Sequence, residues 1–259
     1  LNLRIIIVKI ASSIAMVLGG GAIGREGPTL QIAGSIYRTV HKLLPPFWPK
    51  VSRKVMMVTG GAAGLSAAFN TPLGGIVFAI EELTRTHIAK FRTAVLSSVI
   101  LSGMTAQWLL GPYLLYGYPN VATVGISFMY KLLAISAVCG FVGAISSKMM
   151  LLLDRARQSF KGWTPQLFFV LACAFVFAGV VYTFGSISLG SGGNLLDAYL
   201  FEDNPNPTFA NAAGRVFGNM FTMGAGGAGG IFAPALSSGA AIGGLIGTWF
   251  SVDRGELNM

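Results

Sequence analysis

Two short segments carry the residue types needed to hold a small anion without a permanent cation. LGGGAIGREGPTL at 18–30 and GAGGAGGIFAPAL at 224–236 match at a constant offset of 206, pairing Gly20 with Gly226, Gly21 with Gly227, Ala22 with Ala228, Gly24 with Gly230, Pro28 with Pro234 and Leu30 with Leu236. In each, a proline stands just inside the start of an apolar run, 28–44 in one and 234–250 in the other, which marks a helix N-terminus. Amides at such a start have no intrahelical acceptor, and with the positive end of the helix dipole they attract negative charge. Glycine lets a ligand come close to that backbone. The candidate anion-binding residues are therefore Gly24, Arg25, Glu26, Gly27 and Pro28, and Gly230, Ile231, Phe232, Ala233 and Pro234. A lysine fixed at the same place would bind too tightly for release.

Glu26 is the one carboxylate within these motifs. It is itself an anion beside a helix start, able to occupy the site and to leave when protonated or displaced, which would make it a gate and a proton carrier. The competing reading is that Arg25 and Glu26 pair with other groups or reach an interface; ionisable residues inside a membrane are taken as functional by default. Glu81 and Glu82 close a second apolar run that begins at Pro72. A carboxylate there can pair with Arg85 one turn on. Neighbouring helical residues point about 100° apart, so one of the two can instead face the interior, where burial favours the protonated form and suits proton transfer. Phe232 reads either as packing or, from its place in the second motif, as a pore constriction. Ser237 and Ser238, with Gly239, Gly243 and Gly244, suit close helix packing. His41 and His87 stand in basic clusters and read as solvated.

The elements around these motifs belong in a membrane. Of 259 residues, 53% are hydrophobic and 10% charged, against about a quarter charged in soluble domains. Thr93 to Asn120 and Gly162 to Leu196 contain no charge at all, and each is long enough for a hydrocarbon core of roughly 30 Å. The net charge of +9 falls in short clusters without interleaved aromatics, so it marks helix flanks and not a nucleic-acid surface. Cys139 and Cys173 lie in apolar runs without ligand spacing, and neither a disulfide nor a metal site is expected; no cofactor is implied. The opening LNLRIIIVKI lacks an initiator Met and a signal-peptide pattern and reads as part of a longer chain.

Loops rich in Lys and Arg stay cytoplasmic. The clusters Arg38–Lys54, Arg85–Arg92 and Lys148–Lys161 then frame a helical hairpin broken at Ala68-Phe69-Asn70-Thr71-Pro72, with Asn70 or Thr71 as N-cap and Pro72 near the first helical position. Crossings follow at 93–116, about 131–153 and about 165–185. The segment from there to Gly214, with Asp197, Glu202 and Asp203 but no Lys or Arg, reads as extracytoplasmic. The expected fold is an all-α, multi-pass integral membrane protein. Paired Gly/Pro-interrupted segments point to an internal repeat and to the binding site of a transporter.

At GREGPTLQIAG (24–34), AAFNTPLGGIVFAIEE (67–82) and GGIFAPALSSGAAIG (229–243), the chain resembles the CLC family of chloride channels and chloride/proton antiporters. The resemblance implies an inverted-repeat bundle of tilted, broken and re-entrant helices, here one partial transmembrane domain over 1–259 whose first half ends near 120 and whose second begins near 123. It implies a homodimer in the cell membrane, each subunit with its own anion pathway. Glu26 matches the family's gating glutamate, the backbone of Ile231 and Phe232 its filter, and Glu82 the internal proton-transfer glutamate of many antiporters. Channel members commonly have an apolar residue at the last position. The family's early serine loop and late tyrosine helix fall outside 1–259, so the resemblance leaves anion preference open, with chloride as the default.

The implied partners are chloride or a similar small anion, protons and membrane lipid, with no nucleic acid. The implied function is chloride/proton exchange, with a gated passive anion channel as the alternative. An intramembrane enzyme is the remaining class, and the sequence has no HExxH, no GxSxG and no paired nucleophile and base to support it.

Overall fold

The computed structural model describes residues 3–45, 47, 51–84, 92–111, 126, 128–202 and 206–250, with no side-chain description for 3, 82–84 and 92. Ten α-helices make up almost all of it, in two compact units formed by residues 1–14 with 25–115 and by 15–24 with 116–259. Helix α1 (Leu3–Leu18) contributes its last turn to the second unit.

The first unit is built on α3 (Arg53–Phe69), which packs against α2 (Glu26–Leu43), α4 (Pro72–Thr84) and α5 (Arg92–Leu110). Small residues set the spacing, as expected where lipid removes the hydrophobic drive between helices. Gly60 lies on the backbone of Ala33 and Gly34, Gly64 on Ala33 and Thr29, and Gly75 on Val99 and Ala62. Hydroxyls tie the close helices together: Ser66 Oγ donates to Val99 O at 3.1 Å and Ser102 Oγ to Ala63 O at 2.9 Å. Val55, Ala62, Ala79, Val95 and Val99 form the apolar centre. The hairpin break resolves the two cap candidates. Asn70 closes α3 in the left-handed conformation (φ 52°), and Thr71 Oγ1 accepts from Gly74 N at 3.1 Å, leaving Pro72 as the first residue of α4.

In the second unit α9 (Phe209–Gly224) is central and packs against α6 (Phe128–Ser159), α7 (Trp163–Phe184) and α10 (Phe232–Trp249). A single 3-10 turn at Ser186–Ser188 and the short α8 (Gly193–Phe201) occupy the span read from sequence as extracytoplasmic. The expected crossings fall on three helices long and apolar enough to span a bilayer: Thr93–Leu110 within α5, α6 and α7. Helix α6 extends past the expected 131–153 to 32 residues, about 48 Å at 1.5 Å per residue. It runs into the basic cluster because Lys and Arg are good helix formers and because Asp154 accepts from Arg157 Nη2 and Gln158 Nε2, each at 2.6 Å.

Candidate functional site

Both anion motifs start helices, two residues earlier than the prolines suggest. Helix α2 begins at Glu26 after N-cap Arg25, and α10 at Phe232 after N-cap Ile231, so Pro28 and Pro234 are third in their helices. Proline is tolerated there because the first turn has no acceptor for its missing N–H. The residue after each proline donates the first intrahelical bond, Thr29 N to Arg25 O at 3.1 Å and Ala235 N to Ile231 O at 2.9 Å. The amides of 25–27 and of 231–233 precede that first intrahelical bond.

The offset of 206 extends well beyond the sequence match. Helix α1 at Leu3–Leu18 and α9 at Phe209–Gly224 correspond residue for residue, as do α2 at Glu26–Leu43 and α10 at Phe232–Trp249. The N-caps have the same backbone, φ −91°, ψ −12° at Arg25 and φ −94°, ψ −14° at Ile231. The ends of α1 and α9 are closed alike: Gly20 N bonds Val17 O and Gly21 N bonds Met16 O, while Gly226 N bonds Met223 O and Gly227 N bonds Thr222 O. Gly20 and Gly226 both take positive φ, 74° and 87°, which only glycine adopts at little cost.

The two breaks also bind each other. Gly24 and Gly230 exchange reciprocal N–H···O bonds, both 2.7 Å, in one antiparallel bridge. A Cβ at Gly229 would collide with the Ile23 side chain. Thr222 Oγ1 accepts from Ala22 N at 3.3 Å. Gly24 and Gly230 thus use their amides to join the breaks, immediately before the two helix starts.

Glu26 is buried, 7% exposed, and its Oε2 has no hydrogen-bond partner among the described residues. An apolar position would suit a merely structural residue; a buried carboxyl oxygen without a partner is costly. Arg25 borders a cavity of about 230 Å³ with Thr29, Ala67, Ala68 and Asn70, so its side chain lies by the turn between α3 and α4. Ile231 and Phe232 are each about half exposed, whereas Pro234 is buried. Glu82 is in the last turn of α4, and its side chain, like all of Arg85 and His87, lies outside the described residues.

Sequence reasoning passed over Arg215. This residue of α9 is fully buried, and its guanidinium donates to Ser237 and to three main-chain carbonyls. The signal was present, since Arg215 is the one charged residue between Asp203 and Asp253, and an ionisable group inside an apolar segment calls for a role. Ser237 likewise does more than pack: it accepts from Arg215. Gly239 has open space beside it, while Gly244 does lie close to Tyr199 and Pro207.

The sequence pattern of the voltage gated chloride channel family matches residues 1–255. The chain belongs to that family. Among curated proteins, this CLC chain is 30% identical over 254 residues to the H(+)/Cl(-) exchange transporter ClcA of Citrobacter koseri, a match covering 96% of this chain and 52% of that protein. It is 31% identical over 256 residues to the H(+)/Cl(-) exchange transporter ClcA of Salmonella typhi, with the same coverage. The chain spans about half the length of these relatives. Its fold is similar to the crystal structure of a CLC-type fluoride/proton antiporter, with a TM-score of 0.77 at 21% sequence identity, covering 100% of this chain and 64% of that one. With its family and its apolar helices, this is an integral membrane protein.

Proposed function

We propose that the protein carrying this chain exchanges chloride for protons across a membrane, with Glu26 as gate and proton station. The observation that carries the reading is the buried Glu26 carboxyl group, one oxygen unpartnered, on the first residue of a helix interrupted inside an apolar chain. At that helix start the carboxylate and a free anion seek the same environment, amides and the positive end of a dipole. Ionised, Glu26 fills the place; protonated, it has less reason to remain and an anion can replace it. One side chain thereby links anion passage to a proton.

Glu82 is the second proton station in this proposal. Its support is its position in the EE pair closing α4, together with the H(+)/Cl(-) exchange named for the ClcA relatives. The amides of 25–27 in one motif and 231–233 in the other each contribute anion-attracting helix starts, with Phe232 as a constriction beside the second. A homodimer in the cell membrane, and a chain whose halves meet between about 120 and 123, belong to the same proposal. The correspondence of α1–α2 with α9–α10 supports the repeat.

The deciding experiment imposes a chloride gradient on liposomes containing the full-length protein and records proton movement. Uphill proton transport driven by chloride is expected. Chloride flux without proton movement would overturn exchange in favour of a passive channel.

A further inference from the structure

Arg215 is a buried cation in an apolar chain, and no carboxylate is paired with it among the described residues. Its Nη1 instead shares its two hydrogens among three carbonyls of one segment, Ile187 O at 3.2 Å, Leu189 O at 2.9 Å and Gly190 O at 3.1 Å. Its Nε donates to Ser237 Oγ at 3.0 Å. Carbonyl dipoles aimed at the guanidinium replace part of the hydration that burial removes. The benefit is mutual, because Ile187 O, Leu189 O and Gly190 O are held by the guanidinium, and a buried carbonyl left unpaired is costly.

The partners of this guanidinium lead to both anion motifs. Ser237 stands in the second turn of α10, where its Oγ also lies 3.0 Å from Pro234 O and 3.2 Å from Ser191 O. Gly190, whose carbonyl Arg215 holds, donates its own N–H to Gly20 O at 3.0 Å. Gly20 opens the segment that ends at Gly24, which is bridged to Gly230. From the same helix α9, Thr222 Oγ1 accepts from Ala22 N. One guanidinium therefore fixes α10 near its start on one side and, through the 187–190 loop, the backbone of the first break on the other. The space around it is closed: a Cβ on Gly192 would stand 2.7 Å from Arg215 Cζ and 2.5 Å from Ser237 Cβ.

We propose that Arg215 is a positioning residue for anion recognition, its fork holding the 20–24 segment and the start of α10 in the register that an anion requires. Lysine cannot replace it. A single ammonium group keeps the charge but cannot reach Ser237 and the three carbonyls from a planar fork. Lys9 holds in α1 the place that Arg215 holds in α9, so a basic residue at this position belongs to both copies of the repeat.

The proposal rests on the anion-transport reading, and the test separates the two. Full-length wild type, Arg215→Lys, Ser237→Ala and the double variant are purified. Chloride binding is measured by titration calorimetry, and chloride and nitrate fluxes are measured in liposomes per correctly assembled protein. Arg215→Lys is expected to raise the apparent KM and Kd for chloride by about threefold or more and to narrow the discrimination between chloride and nitrate. Ser237→Ala is expected to move both in the same direction by less, with the double variant below additivity. A purely structural role would lower assembled yield while leaving KM, Kd and discrimination per molecule unchanged, and that result overturns the proposal. If Arg215→Lys does not assemble, unchanged KM and Kd in Ser237→Ala overturn it. Failure of the transport reading itself would appear in the wild type, as absence of anion flux and of chloride binding.

Discussion

Replacing Gly60 by alanine should destabilise the first unit, whereas the same change at the adjacent Gly61 should not. A Cβ on Gly60 would stand 2.7 Å from Gly34 Cα and 2.9 Å from Ala33 O, while ordinary contact begins at 3.4 Å. Both obstacles are backbone, so no rotamer change relieves them, and α3 and α2 would have to separate by about 0.7 Å. Overpacking of this kind costs about 1–3 kcal/mol. Removing a glycine from a helix interior offsets about 0.5–1 kcal/mol of that, leaving a net loss of roughly 0–2.5 kcal/mol, centred on about 1. At Gly61 the nearest atoms are Leu30 Cδ2 at 3.5 Å and Phe78 Cε1 at 4.0 Å, so only the gain remains. Thermal unfolding of full-length Gly60→Ala and Gly61→Ala in detergent, followed by tryptophan fluorescence, should give a lower midpoint for the first and an equal or higher one for the second. Equal midpoints, or a drop only in Gly61→Ala, would refute the claim that α2 and α3 meet through Gly60. Because α2 begins at Glu26, the Gly60 variant should also lose transport rate.

Two further outcomes follow from the proposed exchange and one from the matched helix ends. Glu26→Ala is expected to transport anions independently of pH and to move no protons; in liposome flux assays, retained pH dependence would assign the gate to another group. Glu82→Ala is expected to keep anion flux and lose proton coupling, and unchanged coupling in a proton-pumping assay would remove it from the mechanism. Gly20→Ala and Gly226→Ala should each destabilise by about 1–2 kcal/mol from positive φ alone, read as matched losses of thermal midpoint; a loss at only one would break the equivalence of the two helix ends.

The readable part of the fold was the part in which single residues punctuate apolar runs. Pro72, Asn70 and Thr71 marked the hairpin turn because each has a backbone demand that survives any tertiary context. The start of α2 was placed two residues late because proline is allowed throughout a first turn, and the sequence does not say which of its three positions it takes. The sequence reading runs α8 and α9 together with a loop, although Asn211, Arg215 and Asn219, four residues apart, put a polar stripe on one face of α9. Its arginine escapes a sequence reading because its acceptors among the described residues are the main-chain carbonyls of Ile187, Leu189 and Gly190 and a serine, and carbonyls leave no mark in a sequence.

The offset of 206 joins what was legible to what was not. A match of glycines in a glycine-rich chain is weak by itself, yet here it predicts conformation at residues that do not match in type. Arg25 and Ile231 share a backbone geometry, and Glu26 and Phe232 both open helices of 18 residues. The side chains at this position are therefore free to differ while the backbone is held by its neighbours, by positive φ at Gly20 and Gly226 and by the reciprocal bonds of Gly24 and Gly230. This division of labour explains how a carboxylate can occupy one helix start and an aromatic ring the other. On the proposed reading the backbone supplies amides at both, and the side chain at each decides whether the place is filled from within by a charge or bordered by an apolar surface. Exchange of Glu26 for phenylalanine would make the two starts alike. On the exchange reading it should leave the helix ends intact and abolish proton movement, whereas a loss of folding would mean that the carboxylate helps to hold the break.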